Sequence, residues 1–407
     1  MNPGERRAAG ALATVFAVRL IGLFMIYPVF ESYAHGLPGA SPVMIGLALG
    51  AYGLTQGILQ IPFGLASDRF GRKIVITVGL LLFAGGSVVA ARAGSVEGVL
   101  LGRILQGAGA VGSVVLALVA DLTRPEVRTR AMAMVGVTIG GAFALAIIVG
   151  PPLEALIGVP GIFWLTALLA LVGIAITLGV VPTPRHSSVQ REAEAVPALF
   201  GRVLHDRELI RLDLGIFALH AILIASFLAV PGLLRAAFGI RAGGEWMIYL
   251  PVLVLSVALM VPAIIVAERH GRMKEIFVLA ILVLLAGVLL LGFGGRGGAA
   301  VFIGLVLFFA AFNIMEAMLP SLVTRFAPAE AKGTAMGIYS SAQFLGIFVG
   351  GALGGVAMGL GGAPGVFVFA ALVALGWLGA AIAMPRQIPA SLRARGMAGH
   401  GQAQPGT

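Results

Sequence analysis

Four residues that ionise in water, Arg19, Arg103, His220 and Glu316, stand deep inside long apolar runs of this sequence. A charge in hydrocarbon costs several kcal/mol unless it is paired or hydrated, so each of the four is a candidate for function. Glu316 lies about ten residues from the polar end of its run, near the middle of a helix of membrane-spanning length, with Asn313 one turn away on the same face. The proton affinity of a carboxyl follows its surroundings. One that meets different surroundings in two conformations can take up a proton in the first and release it in the second. His220 stands at a similar depth in another run, and histidine is the side chain suited to proton exchange near neutral pH. The plainer reading is that His220 and Glu316 pair and fix packing, or that His220 bonds a backbone carbonyl. Arg19 could pair with Glu316, attract an anionic substrate, or extend to the membrane surface. Arg103 serves coupling or gating, or extends to the outer interface.

Neutral polar residues form stripes as well. Tyr52, Gln56 and Gln60 recur every four residues, and Tyr339 and Gln343 do the same, so each set shares one helix face. They read as cavity lining or as hydrogen-bond glue between helices. Glu31 and Glu154, near the ends of their runs, read as solvated. No phosphate loop, metal-binding helix, zinc spacing or nucleophile elbow is present, and there is no cysteine, so enzyme readings and thiol chemistry fall away. No cofactor is expected.

The elements that must position these residues follow from composition. With 59% hydrophobic and 11% charged residues, the chain is far more apolar than a soluble domain, in which about a quarter of residues are charged. Apolar runs long enough to cross a bilayer as helices, each needing about 20 residues, begin near residues 12, 43, 74, 97, 131, 160, 209, 243, 276, 299, 333 and 363. The glycine-rich stretch Gly102 to Gly112 reads as the interior of the fourth such helix. The net charge of +10 would suit nucleic acid if the basic residues clustered on a soluble surface. They do not: placing Met1 in the cytoplasm puts 21 of the 27 Lys and Arg residues in cytoplasmic loops and tails, the asymmetry that orients membrane proteins. Both termini are therefore expected in the cytoplasm, with no nucleic-acid partner.

The chain also repeats itself. Asp68-Arg69-Phe-Gly71-Arg72-Lys73 returns as Glu268-Arg269-His270-Gly271-Arg272, and Pro125-Glu126 leading to Ala131-Met132 returns as Pro328 and Glu330 leading to Ala335-Met336. Duplication predicts a first half over residues 1–181, a polar cytoplasmic linker over 182–208, a second half over 209–384 and a cytoplasmic tail without fixed structure over 385–407. Halves related by an axis along the membrane normal place a substrate site at their interface.

The turn with Gly64, Asp68, Arg69, Gly71, Arg72 and Lys73 resembles the GxxxDRxGRR loop of the major facilitator superfamily. That resemblance implies an all-α membrane protein of twelve helices in two pseudo-symmetric six-helix halves. It also implies a cytoplasmic latch between halves in which Asp68 and Arg72 work with Asp121 to hold the outward-open state. Gly64 and Gly71 would permit tight packing and turning there. Gly102-Arg103 through Gly107 is similar to a second superfamily motif whose buried arginine is associated with proton coupling, and Gly150-Pro151-Pro152 only partly resembles an antiporter element. The segments Arg19 to Pro28, Ile45 to Gly64, Phe312 to Leu322 and Gly333 to Phe344 are similar to the YajR-type transporters of bacterial inner membranes, a group placed with the drug/proton antiporters. What this implies is a monomer in the inner membrane that exports a small, drug-like compound against an inward flow of protons. A proton symporter or uniporter importing a solute, and a non-transporting receptor or scaffold, share the same fold.

Overall fold

The computed structural model describes residues 1–183, 199–295, 297–328 and 331–384. The central part of the linker, Glu330 of the second echo and the tail lie outside the described residues. In the first half the helices are α1 (Pro3–Phe24), α2 (Phe30–Ala34), α3 (Pro42–Phe70), α4 (Arg72–Ala91), α5 (Val96–Ala108), α6 (Gly112–Asp121) and α7 (Pro125–Gly179). A short α8 (Phe200–Leu204) leads into the second half, which holds α9 (Arg207–Phe227), α10 (Val230–Phe238), α11 (Trp246–Arg269), α12 (Met273–Phe293), α13 (Gly298–Phe326) and α14 (Lys332–Ile382). Polar caps set several starts: Asn2 and Glu5 form a reciprocal capping box on α1, and Ser41, Ser95 and Asp206 cap α3, α5 and α9.

Ten stretches among the described residues are long and apolar enough to cross a membrane. Two of them, α7 at 55 residues and α14 at 51, would each extend to roughly 75–85 Å at 1.5 Å per residue, more than twice the hydrocarbon thickness. Each is in fact two helices joined at one glycine, Gly158 with φ 68 and Gly362 with φ 60. Only glycine takes that backbone without strain, and a proline two residues later begins the next helix. The expected twelve crossings are therefore present. The paired turns Gly158-Val-Pro-Gly161 and Gly362-Ala-Pro-Gly365 are a third internal echo. Gly71 and Gly271, with φ 95 and 65, turn the chain at the two copies of the charged loop.

One helix departs from expectation. The run predicted as a continuous fourth crossing breaks at Gly109–Val111, between α5 and α6. The break sits where α4 crosses α5: a Cβ on Gly109 would lie 2.2 Å from the Gly79 carbonyl oxygen. That approach leaves no room for a larger residue in a regular helix.

The glycines along α14 serve two faces at once. Gly346, Gly350 and Gly354 lie against the backbone of Phe217, Ala221 and Ala225 in α9, while Gly351 and Gly355 lie against Gly46, Gly50 and Pro42 of α3. Small residues at such spacing let helices meet backbone to backbone, which is how packing is gained where lipid removes the hydrophobic drive. The α3–α14 seam joins the two halves, and its close approaches run from Pro42–Gly355 to Gly57–Ser341. That seam lies toward the face opposite the termini, called here the far face. On the terminal side, a Cβ at Gly136, Gly140 or Gly141 of α7 would meet nothing within 4 Å, and Val137 is 77% exposed. The close approaches between the halves thus lie on the far side, and α7 makes none at these terminal-side positions.

Candidate functional site

The ionisable residues singled out from sequence separate into two groups, one in each half. In the first half, α1 carries Arg19 into a buried position against α3. Its Nη2 donates to the Tyr52 hydroxyl at 2.6 Å, to Gln56 Oε1 at 2.7 Å and to the Gly109 carbonyl at 3.1 Å. The last of these is available because the helix breaks there, which frees the carbonyl for an outside donor. Gln56 Nε2 passes the chain on to Gln60 Oε1 at 2.7 Å. Arg103 is fully buried, donates to Gln106 Oε1 at 2.9 Å and to the Leu49 carbonyl at 3.2 Å, and Gln106 in turn donates to Ser87. Both guanidiniums approach the Tyr52 ring, at 5.8 and 5.4 Å from its centroid, within cation–π range.

This corrects two expectations. Arg19 does not pair with Glu316, because its side chain is taken up by Tyr52, Gln56 and Gly109 within its own half. Arg103 does not extend to the outer interface; Gln106 and Leu49 hold it inside. The stripe of Tyr52, Gln56 and Gln60 is likewise the acceptor system for a buried cation, with all three residues at most 4% exposed. Ser87 and Gln106 carry no periodic signal that singles them out, and they become visible only once α4 and α5 are placed together.

The second half holds the acidic group. His220 on α9 has Nε2 3.3 Å from Glu316 Oε1 on α13 and 2.9 Å from Gln343 Nε2 on α14, while its Nδ1 faces the Ile216 carbonyl at 3.2 Å. Nδ1 must therefore donate, since a carbonyl only accepts. A neutral ring then presents a lone pair at Nε2, which the Gln343 amide, as placed, can satisfy. A carboxylate 3.3 Å from the same lone pair would be repelled. The pair is compatible only with a proton on one member, either a second proton on the ring or one on the carboxyl. Glu316 is 29% exposed, against 8% for His220, although its Oε1, which faces the ring, is buried and has no hydrogen-bond partner among the described residues. Tyr339 is buried nearby, close enough to interact with both Glu316 and Asp213. Asp213, two turns before His220 on α9, was missed in the sequence because it lies near the start of the apolar run, where an acid attracts no notice. Asn313, by contrast, turns away to donate to Ser256 on α11 at 2.9 Å.

On the far side of Glu316 an aromatic layer joins the halves. Phe143 of α7 lies 5.7 Å from Phe312 and 6.4 Å from Phe309 of α13, Phe312 is 5.8 Å from the His220 ring, and Phe24 packs edge-on to Phe143. These rings, with Tyr52 against Phe344, part the His220–Glu316 pair from the far face.

At the terminal face Arg72 is the centre of the charged turn. Its Nε donates to Asp121 Oδ2 at 3.2 Å and its Nη1 to Ser67 Oγ at 2.6 Å, and it pairs with Asp68. These partners all belong to the first half. Arg69 lies over the Phe70 ring. Gly71 turns the chain as expected, but Gly64 is not tightly packed here, since a Cβ would come no nearer than 3.7 Å to Ser113. Lys73 donates to the carbonyls of Leu178 and Val181, and Lys274 does the same for Ile382 and Met384. Each copy of the turn thus holds the end of the last helix in its own half. Glu31 and Glu154, read as solvated, are not: Glu31 is 13% exposed and paired with His35, and Glu154 is half-buried beside Arg235 and Glu245.

The model of the Major Facilitator Superfamily matches residues 12–257. The inner membrane transport protein YajR of Escherichia coli is 45% identical over 384 residues, 94% of this chain and 84% of that protein. The multidrug resistance protein MdtH of Aeromonas hydrophila is 29% identical over 350 residues, 84% of each chain. Among solved structures, the human organic anion transporter MFSD10 superposes with a TM-score of 0.67 at 21% identity, covering 93% of this chain and all of that one, a likeness of fold. The chain belongs to the major facilitator superfamily, a multi-pass membrane transporter and not an enzyme.

Proposed function

We propose that this superfamily member is a proton antiporter of the inner membrane, with both termini cytoplasmic, which exports a small, drug-like compound by alternating closure of the two faces. The observation that carries the reading is the His220–Glu316–Gln343 geometry, in which Glu316 Oε1 stands 3.3 Å from the ring nitrogen, buried and without a hydrogen-bond partner among the described residues, a position that a proton on the pair relieves. The Phe143, Phe309 and Phe312 layer stands between Glu316 and the far face, so its proton comes and goes from the terminal side. In this shape the proton exchanges with the cytoplasm. Once the halves rock and the aromatic layer parts, the same carboxyl exchanges with the opposite side. Two shapes with unequal proton access at one acid are what coupling needs.

The remaining residues have roles in the same cycle. Arg19 and Arg103 hold α1, α3 and α5 together as the unit that rocks. Tyr339 and Gln343 stand beside the acid, where a substrate would compete for Glu316. The Asp68–Arg72–Asp121 cluster is the conformational latch at the cytoplasmic face. The likeness to MdtH supports a drug-like compound as cargo.

Reconstitution into liposomes with an imposed pH gradient and a trapped pH dye tests the reading against a panel of fluorescent lipophilic compounds. Export coupled to proton entry supports it. Uptake in the direction of proton flow makes the chain a symporter, and absence of flux under every gradient makes it a receptor or scaffold.

A further inference from the structure

The far face carries a charged group that spans both halves. Arg235, in the last turn of α10, donates from Nη2 to Ser32 Oγ at 2.6 Å and lies 4.0 Å from Glu31 Oε2, both in α2 of the first half. Its Nη1 donates to Glu245 Oε1 at 3.0 Å, just before α11. Glu154, on α7 of the first half, is close enough to interact with both Glu245 and Arg235. Other titratable groups facing the cluster are His35, whose Nε2 is 2.9 Å from Glu31 Oε1, and Tyr249 on α11. Gly243 packs against Ala155 and the Pro151 carbonyl in the same place, so the cluster sits on an inter-half contact and not on a free surface.

The fixed charges here do not balance. Three carboxylates face one guanidinium, and a proton on His35, which is 51% exposed, would still leave the group net negative. Glu245 is only 1% exposed, and its Oε2 has no hydrogen-bond partner among the described residues. An unbalanced charge in such a site is costly. A proton shared among the acids removes the excess without moving the backbone.

We propose that Arg235 with Glu31, Ser32, Glu154 and Glu245 forms a clasp that shuts the far face when it binds a proton from the solution on that side. Loaded, the acids gather round Arg235 and the halves stay joined. Stripped of the proton, Glu31 and Glu154 on the first half repel Glu245 on the second, and the far face opens. The sign is fixed by linkage: the shut shape binds more protons, so it gains as pH falls and loses as pH rises. This site is separate from the one proposed at Glu316, and arrival of a proton from outside becomes the event that closes the outer face.

The chain has no cysteine, so labels attach only where cysteines are introduced. Gly36→Cys and Ala242→Cys place a spin label on each half at exposed far-face positions, and double electron–electron resonance reads the distance between them. Between about pH 5.5 and 8 the open-to-shut ratio should rise about tenfold, the change given by one pK unit of difference between the two shapes. Glu154→Gln should flatten that rise and favour the shut distance, and Arg235→Gln should favour the open one at every pH. The rise should persist in Glu316→Gln. A ratio that ignores pH in the parent protein, or a shut far face in Arg235→Gln, overturns the clasp. A rise that vanishes in Glu316→Gln also overturns it, by assigning the pH response to the other proton site, and leaves the antiport reading standing.

Discussion

Replacing Gly46 by alanine should shift the protein toward a far-side-open shape. A Cβ there would lie 2.1 Å from the Gly351 carbonyl oxygen and 2.8 Å from the Gly355 Cα. Ordinary C···O contacts begin at about 3.3 Å, so the two helices must separate by about 1.2 Å. Both obstructing atoms are backbone and cannot rotate aside. Overpacking of this kind costs about 1–3 kcal/mol. The cost falls on the shape in which α3 and α14 touch, and is relieved when the halves part. The helix-propensity gain of Gly→Ala is the same in both shapes and cancels. The open-to-shut ratio should therefore rise by about 5- to 150-fold, the equivalent of that free energy, in the spin-label assay at the far face. Gly346→Ala is the control, because its Cβ would lie 2.3 Å from the Phe217 carbonyl within the second half. It should lower thermal stability and leave the ratio unchanged. Equal ratios in Gly46→Ala and the parent, or an equal shift in Gly346→Ala, would refute the reasoning.

Other outcomes follow from the polar groups. Glu316→Gln should abolish gradient-driven flux in liposomes while substrate exchange continues, and gradient-driven flux at the parent rate contradicts this. Arg72→Ala leaves Asp121, 7% exposed, without its guanidinium, and should cost about 3–5 kcal/mol, the usual loss when one partner of a buried pair is removed. Arg72→Lys should recover only part of this in a thermal-unfolding assay, because an ammonium cannot serve Asp68, Ser67 and Asp121 as a planar fork does. Tyr52→Phe removes the hydroxyl 2.6 Å from Arg19 and should cost about 1.5–3 kcal/mol as a lost bond to a buried charge, read as a fall in melting temperature.

The twelve crossings and the twofold repeat were legible because each rests on a property that composition carries directly: run length, charge placement and the recurrence of Gly71 and Gly271 with their flanking charges. Joining of α7 and α14 into continuous helical stretches was not, because Gly158 and Gly362 change direction without the polar loop by which a turn is recognised. The division of the α14 glycines between α9 and α3 depends on helix rotation, which a single sequence does not fix. His220, Glu316 and Gln343 were each named, and the structure brings them together because their helices are neighbours in the second half. Arg19 failed to reach Glu316 for the same reason: Tyr52, Gln56 and Gly109 lie nearer, in its own half. Asp213 and the Arg235 cluster stand at run ends, where charge is expected on solvation grounds and only tertiary contact reveals another role.

The central claim is that Glu316 carries a proton whose access differs between two shapes of the protein. Infrared difference spectroscopy of the reconstituted transporter, recorded as pH is stepped from acid to alkaline, reads protonated carboxyl groups directly. The account predicts a carboxyl band that disappears on deprotonation, is absent from Glu316→Gln, and titrates at a different pH when the Gly46→Ala substitution favours the opposite shape. A band that survives in Glu316→Gln, or one that titrates identically in both shapes, would contradict it.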